Sequence, residues 1–166
     1  MSDTEFRPRL AIDVLVKHDV KFVLIGGMSA RAYGSARITN DIDICYARDD
    51  GNLKRLAAAL RDLGARLRGA PRDVPFVLDA KTLKAGDHFT FITKAGGLDI
   101  LGTPSGSSGF EAMDRNATTM RILNHDVRVV SIDDLIQMKL AAGRLKDLAD
   151  ADDLTAVREV IREEQE

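Results

Sequence analysis

The stretch "FVLIGGMSARAYGSARITNDIDICY", residues 22–46, limits what this chain can fold into more than any other part of it. An apolar run ends at Ile25, two glycines follow, and a short segment of arginines and small residues leads to Asp41-Ile42-Asp43-Ile44. Alternation with period two marks a strand with one buried face, so both carboxylates point one way and both isoleucines the other. Adjacent carboxylates repel, and the arrangement is best tolerated with a cation between them. Mg²⁺ is the natural candidate, because it favours oxygen and is commonly held by one or two carboxylates together with substrate phosphates. Gly26 and Gly27 stand before a predicted helix, where missing side chains let phosphate oxygens reach backbone N–H groups and the positive helix end. Ser29, in the first turn, adds a hydroxyl. The stretch reads as a phosphate cradle facing a metal-binding pair.

The rest of the chain alternates helices and strands. Residues 9–19 carry an amphipathic helical pattern, "KFVLI" is a short buried strand, and "GGMSARAYG" reads as a turn opening into a helix that ends by Gly34. "DIDICYA" is the next strand, and "DDGNLKRLAAALRDLGA" is a long helix with Leu53, Leu56, Ala57, Leu60 and Leu63 on one face and Gly64 as its stop. "HFTFITKAGGLDIL" predicts two strands joined at Gly96-Gly97, and "TTMRILNHDVRVV" a hairpin turning around Asn124 to Asp126. Ser131 with Asp134 has the form of a helix cap opening a helical region over about 131–162. "GTPSGSSG" lacks the Gly-Lys-Ser/Thr ending of a P-loop. The expected class is α/β or α+β, one domain over 1–166 with a mixed β-sheet flanked by helices. Asp99, between large apolar residues of "GLDIL", is a third acid on a predicted strand. If that strand neighbours the Asp41–Asp43 strand, Asp99 completes a triad able to hold metal and to act as general base.

Composition narrows the class further. At 166 residues and 45% hydrophobic, the chain can bury a core, and neither disorder nor a disulfide scaffold is indicated. "MSDTEFRPRLAIDVLVKHDV" has no apolar run of signal-peptide length, and nothing approaches a membrane span, so no membrane partner and a cytoplasmic location are the default expectations. Cys45 is the sole cysteine, which excludes an internal disulfide and a multi-cysteine metal site; on an apolar strand it is expected to be a small buried hydrophobe. His18, His88 and His125 have no clustered spacing and are not expected to bind metal. The net charge of −2 argues against a generally basic coat, yet Lys54, Arg55, Arg61, Arg66, Arg68, Arg72, Lys81, Lys84 and Lys94 crowd residues 51–94. They fit either a solvated helix with its flanking loops or an RNA-contacting surface.

Gly26-Gly27, thirteen intervening residues, Asp41-Ile42-Asp43-Ile44 and then Leu98-Asp99-Ile100 together resemble the signature of the nucleotidyltransferase (DNA polymerase beta-like) superfamily. "GGMSARAYGSARITNDIDI" is most similar to the AbiEii/AbiGii toxin-type members, in which an Arg-x-Thr commonly precedes the acid pair, as Arg37-Ile38-Thr39 does. The resemblance implies the nucleotidyltransferase fold and transfer of a nucleoside monophosphate from an NTP to an acceptor hydroxyl. It implies Mg²⁺ on Asp41 and Asp43, Asp99 as third ligand or base, Gly26, Gly27 and Ser29 at the triphosphate, and Arg37 and Thr39 beside them. A later Lys and Lys-Asp pair, matched by Lys139 and Lys146-Asp147, implies a phosphate-binding Lys139 and an Asp147 that orients a lysine. Lys139 and Lys146 share a face if the helix continues through Gly143. The implied role is the toxin of a bacterial toxin–antitoxin pair, with a cognate antitoxin or toxin as partner, acting on RNA at a tRNA 3′ end. A protein side chain or small molecule as acceptor, and a catalytically silent nucleotide-binding module, are the alternatives. The chain lacks the long helical C-terminal extension of many toxin-type members, so the acceptor surface is expected from a partner, or the acceptor is small.

Overall fold

The computed structural model describes residues 5–166 apart from residue 72. Residues 1–4 of the N-terminal run and Arg72 of the basic stretch therefore lie outside the described residues. The elements are α1 (Pro8–Lys17), β1 (Phe22–Ile25), α2 (Gly26–Ala32), β2 (Asp41–Tyr46), α3 (Asp50–Asp62), β3 (Arg66–Leu67) and α4 (Ala80–Ala85). They continue with β4 (His88–Thr93), β5 (Gly96–Leu101), α5 (Phe110–Asn116), β6 (Thr118–Ile122), β7 (His125–Val129), α6 (Ile132–Ala142) and α7 (Leu145–Glu164). The strands form one sheet in the order β3-β4-β5-β2-β1-β7-β6. β2 runs parallel to β5 and β1 to β7, whereas the remaining pairs are antiparallel. The expected mixed sheet flanked by helices is what forms.

Each face of the sheet carries its own apolar cluster. Leu24, Ile42, Ile44, Leu98 and Ile100 pack with Ile12 and Leu15 of α1 and with Leu53, Leu56 and Leu60 of α3. On the opposite face Val23, Ile25 and Cys45 meet Met113 of α5, Leu135, Ile136 and Met138 of α6, and Ala151 and Leu154 of α7. Asp41 and Asp43 belong to this second face, since they alternate with buried Ile42 and Ile44. Cys45 is buried as expected, and burial pushes its thiol up to about 12. No helix among the described residues is long and apolar enough to cross a membrane.

Three expectations need correction. The β4–β5 turn is Lys94-Ala95, and Gly96 and Gly97 already belong to β5. Gly96 holds a φ of +98° close against Phe6, which disfavours a side chain there, so the two glycines serve the strand rather than the turn. The second hairpin turns at Leu123-Asn124, both with positive φ as two-residue hairpins require, and His125 opens β7 opposite Ile122. The C-terminal helical region is broken. Ser131 caps α6 as expected, but Gly143 takes a left-handed φ of +70° and stops it, and α7 starts at Leu145.

That break matters to the site, because it folds α7 back so that Asp147 and Asp150 approach Lys139 of α6. Gly143→Ala forces a Cβ onto a left-handed residue and is expected to cost about 1 kcal/mol. Thermal unfolding should show Tm lower by about 2–4 °C.

Candidate active site

Strand register builds the site. Asp43 of β2 lies opposite Asp99 of β5 on one side and Ile25 of β1 on the other, while Asp41 lies opposite Gly97. Directly paired residues share a face, so the three carboxylates converge where β1 ends and α2 begins. A cavity of about 650 Å³ opens over them. Gly26, Gly27, Arg37, Thr39, Asp41, Asp43, Asp99, Lys139, Lys146 and Asp147 all line it. Ser29 does not. Its side chain is fully buried and its hydroxyl donates to the Gly26 carbonyl at 2.6 Å, so it braces the first turn from behind instead of facing the cavity.

The glycines are needed for a reason beyond phosphate access. Gly26 has a φ of +66°, and a Cβ built on it lies 2.0 Å from Asp43 Oδ2. A Cβ on Gly27 lies 2.7 Å from Thr39 Oγ1, and Thr39 in turn donates to the Asp41 carbonyl at 3.1 Å. Side chains at these positions would occupy the space the acid strand uses. The first turn of α2 also has no side-chain cap, whereas α3, α4 and α6 are capped by Asp49, Asp79 and Ser131. Its leading N–H groups take no side-chain cap, and Gly26 and Gly27 line the cavity.

The electrostatics follow from burial. Asp43 is pushed up to about 7, first by desolvation and then by the charges of Asp99 and Asp41, with Lys139 opposing. Asp99 is raised by desolvation, against the pull of Arg68, and its Oδ1 is buried with no hydrogen-bond partner. Asp41 is nearly half exposed and is met by Arg68, whose Nη2 lies 3.2 Å from Oδ1. Lys139, only 15% exposed, contacts Asp150 at 3.0 Å and Asp147 at 3.7 Å. Arg37 reaches the same Asp150 at 2.6 Å, and Arg144 holds Asp147 at 2.6 Å. Burial pushes Asp147 up, but the Arg144 hydrogen bond and the nearby charges outweigh it and its carboxyl lies below the usual range.

Asp147 thus contacts a lysine, but that lysine is Lys139, and Arg144 holds the carboxylate more closely. Lys146 is exposed at the cavity rim, because the break at Gly143 removes the shared helical face expected for Lys139 and Lys146. Several residues were not anticipated. Asp150 had a visible signal, being three residues from Asp147 on a helix and so on the same face. Arg68, Gly97 and His88 had none, because only the sheet register brings β3, β4 and β5 beside the acid pair.

The donor set suits a hard divalent cation: carboxylate oxygens, one of them unpartnered, in a cavity with room for phosphate ligands. Among the described residues no three His, Cys, Asp or Glu side chains are drawn together into a ready metal cage. Such a site fits an ion that completes its shell with water and substrate oxygen, as Mg²⁺ usually does.

Comparison with known proteins decides the family. Residues 10–164 match the family described as nucleotidyl transferase AbiEii toxin, type IV toxin–antitoxin system. The chain belongs to the AbiEii nucleotidyltransferase family. No curated protein sequence matches it. Among solved structures it is similar to the lincosamide antibiotic adenylyltransferase LnuA bound to lincomycin, with TM-score 0.60 and 16% identity, covering 93% of this chain and 99% of that one. It is also similar to the antibiotic-resistance factor ANT(2'')-Ia, with TM-score 0.56 and 14% identity over 95% and 90% of the two chains. TM1012, a candidate nucleotidyltransferase of Thermotoga maritima, matches with TM-score 0.56 and 15% identity over 96% and 97%. At these identities the likeness shows the nucleotidyltransferase fold, and the family match makes this AbiEii-family chain a nucleotidyltransferase.

Two measurements check the geometry. A Cβ on Gly97 lies 2.0 Å from Asp41 Oδ1 while the backbone there has no positive φ, so Gly97→Ala should displace that carboxylate and leave the fold intact. Turnover is expected to fall by about 100-fold with an unchanged circular dichroism spectrum. Asp43 carries the second. Its folded value of about 7 stands above the ordinary 3.8, so the metal-free fold loses stability as pH rises between them. Asp43→Asn stays neutral throughout. In EDTA its stability should equal that of the parent near pH 4 and exceed it above pH 7 by on the order of a few kcal/mol, read as a higher Tm. Equal Tm values at pH 8 are the outcome against it.

Proposed function

We propose that this AbiEii-family protein is a Mg²⁺-dependent nucleotidyltransferase that moves a nucleoside monophosphate from an NTP to an RNA hydroxyl, with the tRNA 3′ end as acceptor. On this reading it is the toxin of a toxin–antitoxin pair and has a cognate antitoxin. One observation carries the chemistry: Asp41, Asp43 and Asp99 share one sheet face at the uncapped start of α2, in the cavity that also holds Lys139. The family description supports the toxin role, and exposed Lys54, Arg66, Lys81 and Lys94, none in an ion pair among the described residues, support an anionic acceptor.

Asp41 and Asp43 hold the metal, with Asp99 as third ligand or base, and the bound ion supplies charge neutralisation of the phosphates and alignment of the attacking and leaving oxygens. Gly26 and Gly27 present backbone N–H groups to the triphosphate. Lys139 and Arg37, both anchored on Asp150, supply fixed positive charge to it, and Thr39 keeps the acid strand in register through its bond to Asp41. Lys146, at the rim, adds an exposed cation, and Asp147 steadies Lys139. Asp99 accepts the proton of the attacking hydroxyl; its buried Oδ1 has no hydrogen-bond partner and is free to take it. The bond from the acceptor oxygen to the α-phosphorus forms, the bond from that phosphorus to the β-phosphate oxygen breaks, and pyrophosphate leaves.

A second reading, with a small-molecule acceptor, is favoured by the cavity itself, whose 650 Å³ falls in the range of small-ligand sites. Incubation with Mg²⁺, each α-labelled NTP and total tRNA separates the two. Label on RNA with the parent protein, and none with Asp41→Ala or Asp43→Ala, is the expected result. Label retained by either variant defeats the metal mechanism; NTP turnover with no labelled RNA moves the acceptor to a protein or small molecule.

A further inference from the structure

Arg68 reaches Asp41 by a built route. β3 is only two residues long, but the Arg68 N–H donates to the Thr90 carbonyl at 2.9 Å and extends the ladder by one residue. Leu67 lies opposite Phe91, so Arg68 falls opposite Thr90, Thr90 opposite Asp99, and Asp99 opposite Asp43. Arg68, Thr90, Asp99 and Asp43 thus form one row across four strands on the face that carries the acids. From the edge of the sheet the Arg68 side chain crosses to Asp41 through the gap left by Gly97. A Cβ there would lie 2.3 Å from Arg68 Nη2 and 2.0 Å from Asp41 Oδ1. The missing side chain is what allows the two charged groups to meet.

We propose that Arg68 is a displaceable stand-in for the metal: its guanidinium neutralises Asp41 while no cation is bound, and the incoming ion must push it aside. The inference rests on the metal reading of Asp41 and Asp43. Both partners are about two-fifths exposed, at 40% and 41%, so the pair is wet and weak enough to exchange. Lys139 is different. It is held by two nearly buried acids and is not free to leave. Lys139 is therefore a fixed cation near Asp43, and Arg68 a removable one on Asp41. A bare ion competes with Arg68 for a carboxylate, whereas an ion arriving with a triphosphate brings further ligands and wins more easily. Arg68 in this way ties metal loading to nucleotide loading.

The test uses Mn²⁺ alone, without nucleotide, followed by electron paramagnetic resonance on the full chain. Arg68→Gln removes the competitor and should bind Mn²⁺ about threefold to fivefold more tightly than the parent, the upper range for an exposed ion pair. Asp41→Asn should weaken binding in both backgrounds. In the parent, the Arg68 guanidinium NMR signal should shift as Mg²⁺ is added. Equal Mn²⁺ affinity in parent and Arg68→Gln, with Asp41→Asn still weakening both, removes the role of Arg68 and leaves the metal site standing. An Arg68 signal that does not move while the metal binds also overturns the proposal. Mn²⁺ binding insensitive to Asp41→Asn overturns the metal reading, and the stand-in falls with it.

Discussion

Three carboxylates on one half-buried sheet face repel each other and resist desolvation, and much of the surrounding architecture is arranged around that cost. Ile42 and Ile44 anchor β2 in the core below, which fixes Asp41 and Asp43 on the upper face. β5 pairs with β2 in parallel and sets Asp99 beside Asp43. Burial raises Asp99, and within the sheet Arg68, His88 and Thr90 offset only part of that cost. The compensation comes from both flanks, Arg68 at the β3 edge and Lys139 from α6. Even so, burial and the neighbouring carboxylates raise Asp43 to about 7, so the site retains an unfavourable charge arrangement.

Most of this was legible in the sequence, and the reasons differ for each part. Period-two alternation and the two glycines pointed to the acid strand and its cradle, because both are local signals. Gly64 and the Ser131 cap marked helix ends for the same reason. Asp99 was recognisable as a costly acid between apolar neighbours, although its partner strand was not. Register and the relative placement of edge strands are long-range properties, and they hid Arg68, Gly97 and His88. Gly96-Gly97 shows how a local signal misleads: a Gly-Gly between strands reads as a turn, but here the first accommodates Phe6 and the second accommodates Asp41. Ser29 shows the converse, a polar residue in the right turn whose hydroxyl is already used by the Gly26 carbonyl.

Glycines in nucleotide sites are usually explained by the ligand, as room for phosphate. In this protein at least part of the demand comes from the protein itself. Asp43 packs where a side chain on Gly26 would be, Thr39 where one on Gly27 would be, and Asp41 with Arg68 where one on Gly97 would be. The acids can approach the cradle only because three neighbouring positions lack a Cβ. The glycines and the acid pair are therefore one packing unit.

The same logic extends to the cations beyond the acids. Lys139 and Arg37 project into one cavity from different parts of the chain, α6 and the α2–β2 connection, and without a shared partner they would repel. Asp150, 7% exposed, takes both, and Asp147 adds its charge to Lys139 while Arg144 holds it from behind. Lys139, 15% exposed, is stable there because it is paired with these acids, whereas Arg37 stays half exposed to water. It also fixes their positions. A polyanion entering the cavity meets cations already held in position, so their ordering cost is met by the fold before substrate arrives. The left-handed turn at Gly143 brings α7, and with it Asp147 and Asp150, within reach. A single backbone conformation between two helices thereby brings the α7 acids to Lys139 and Arg37.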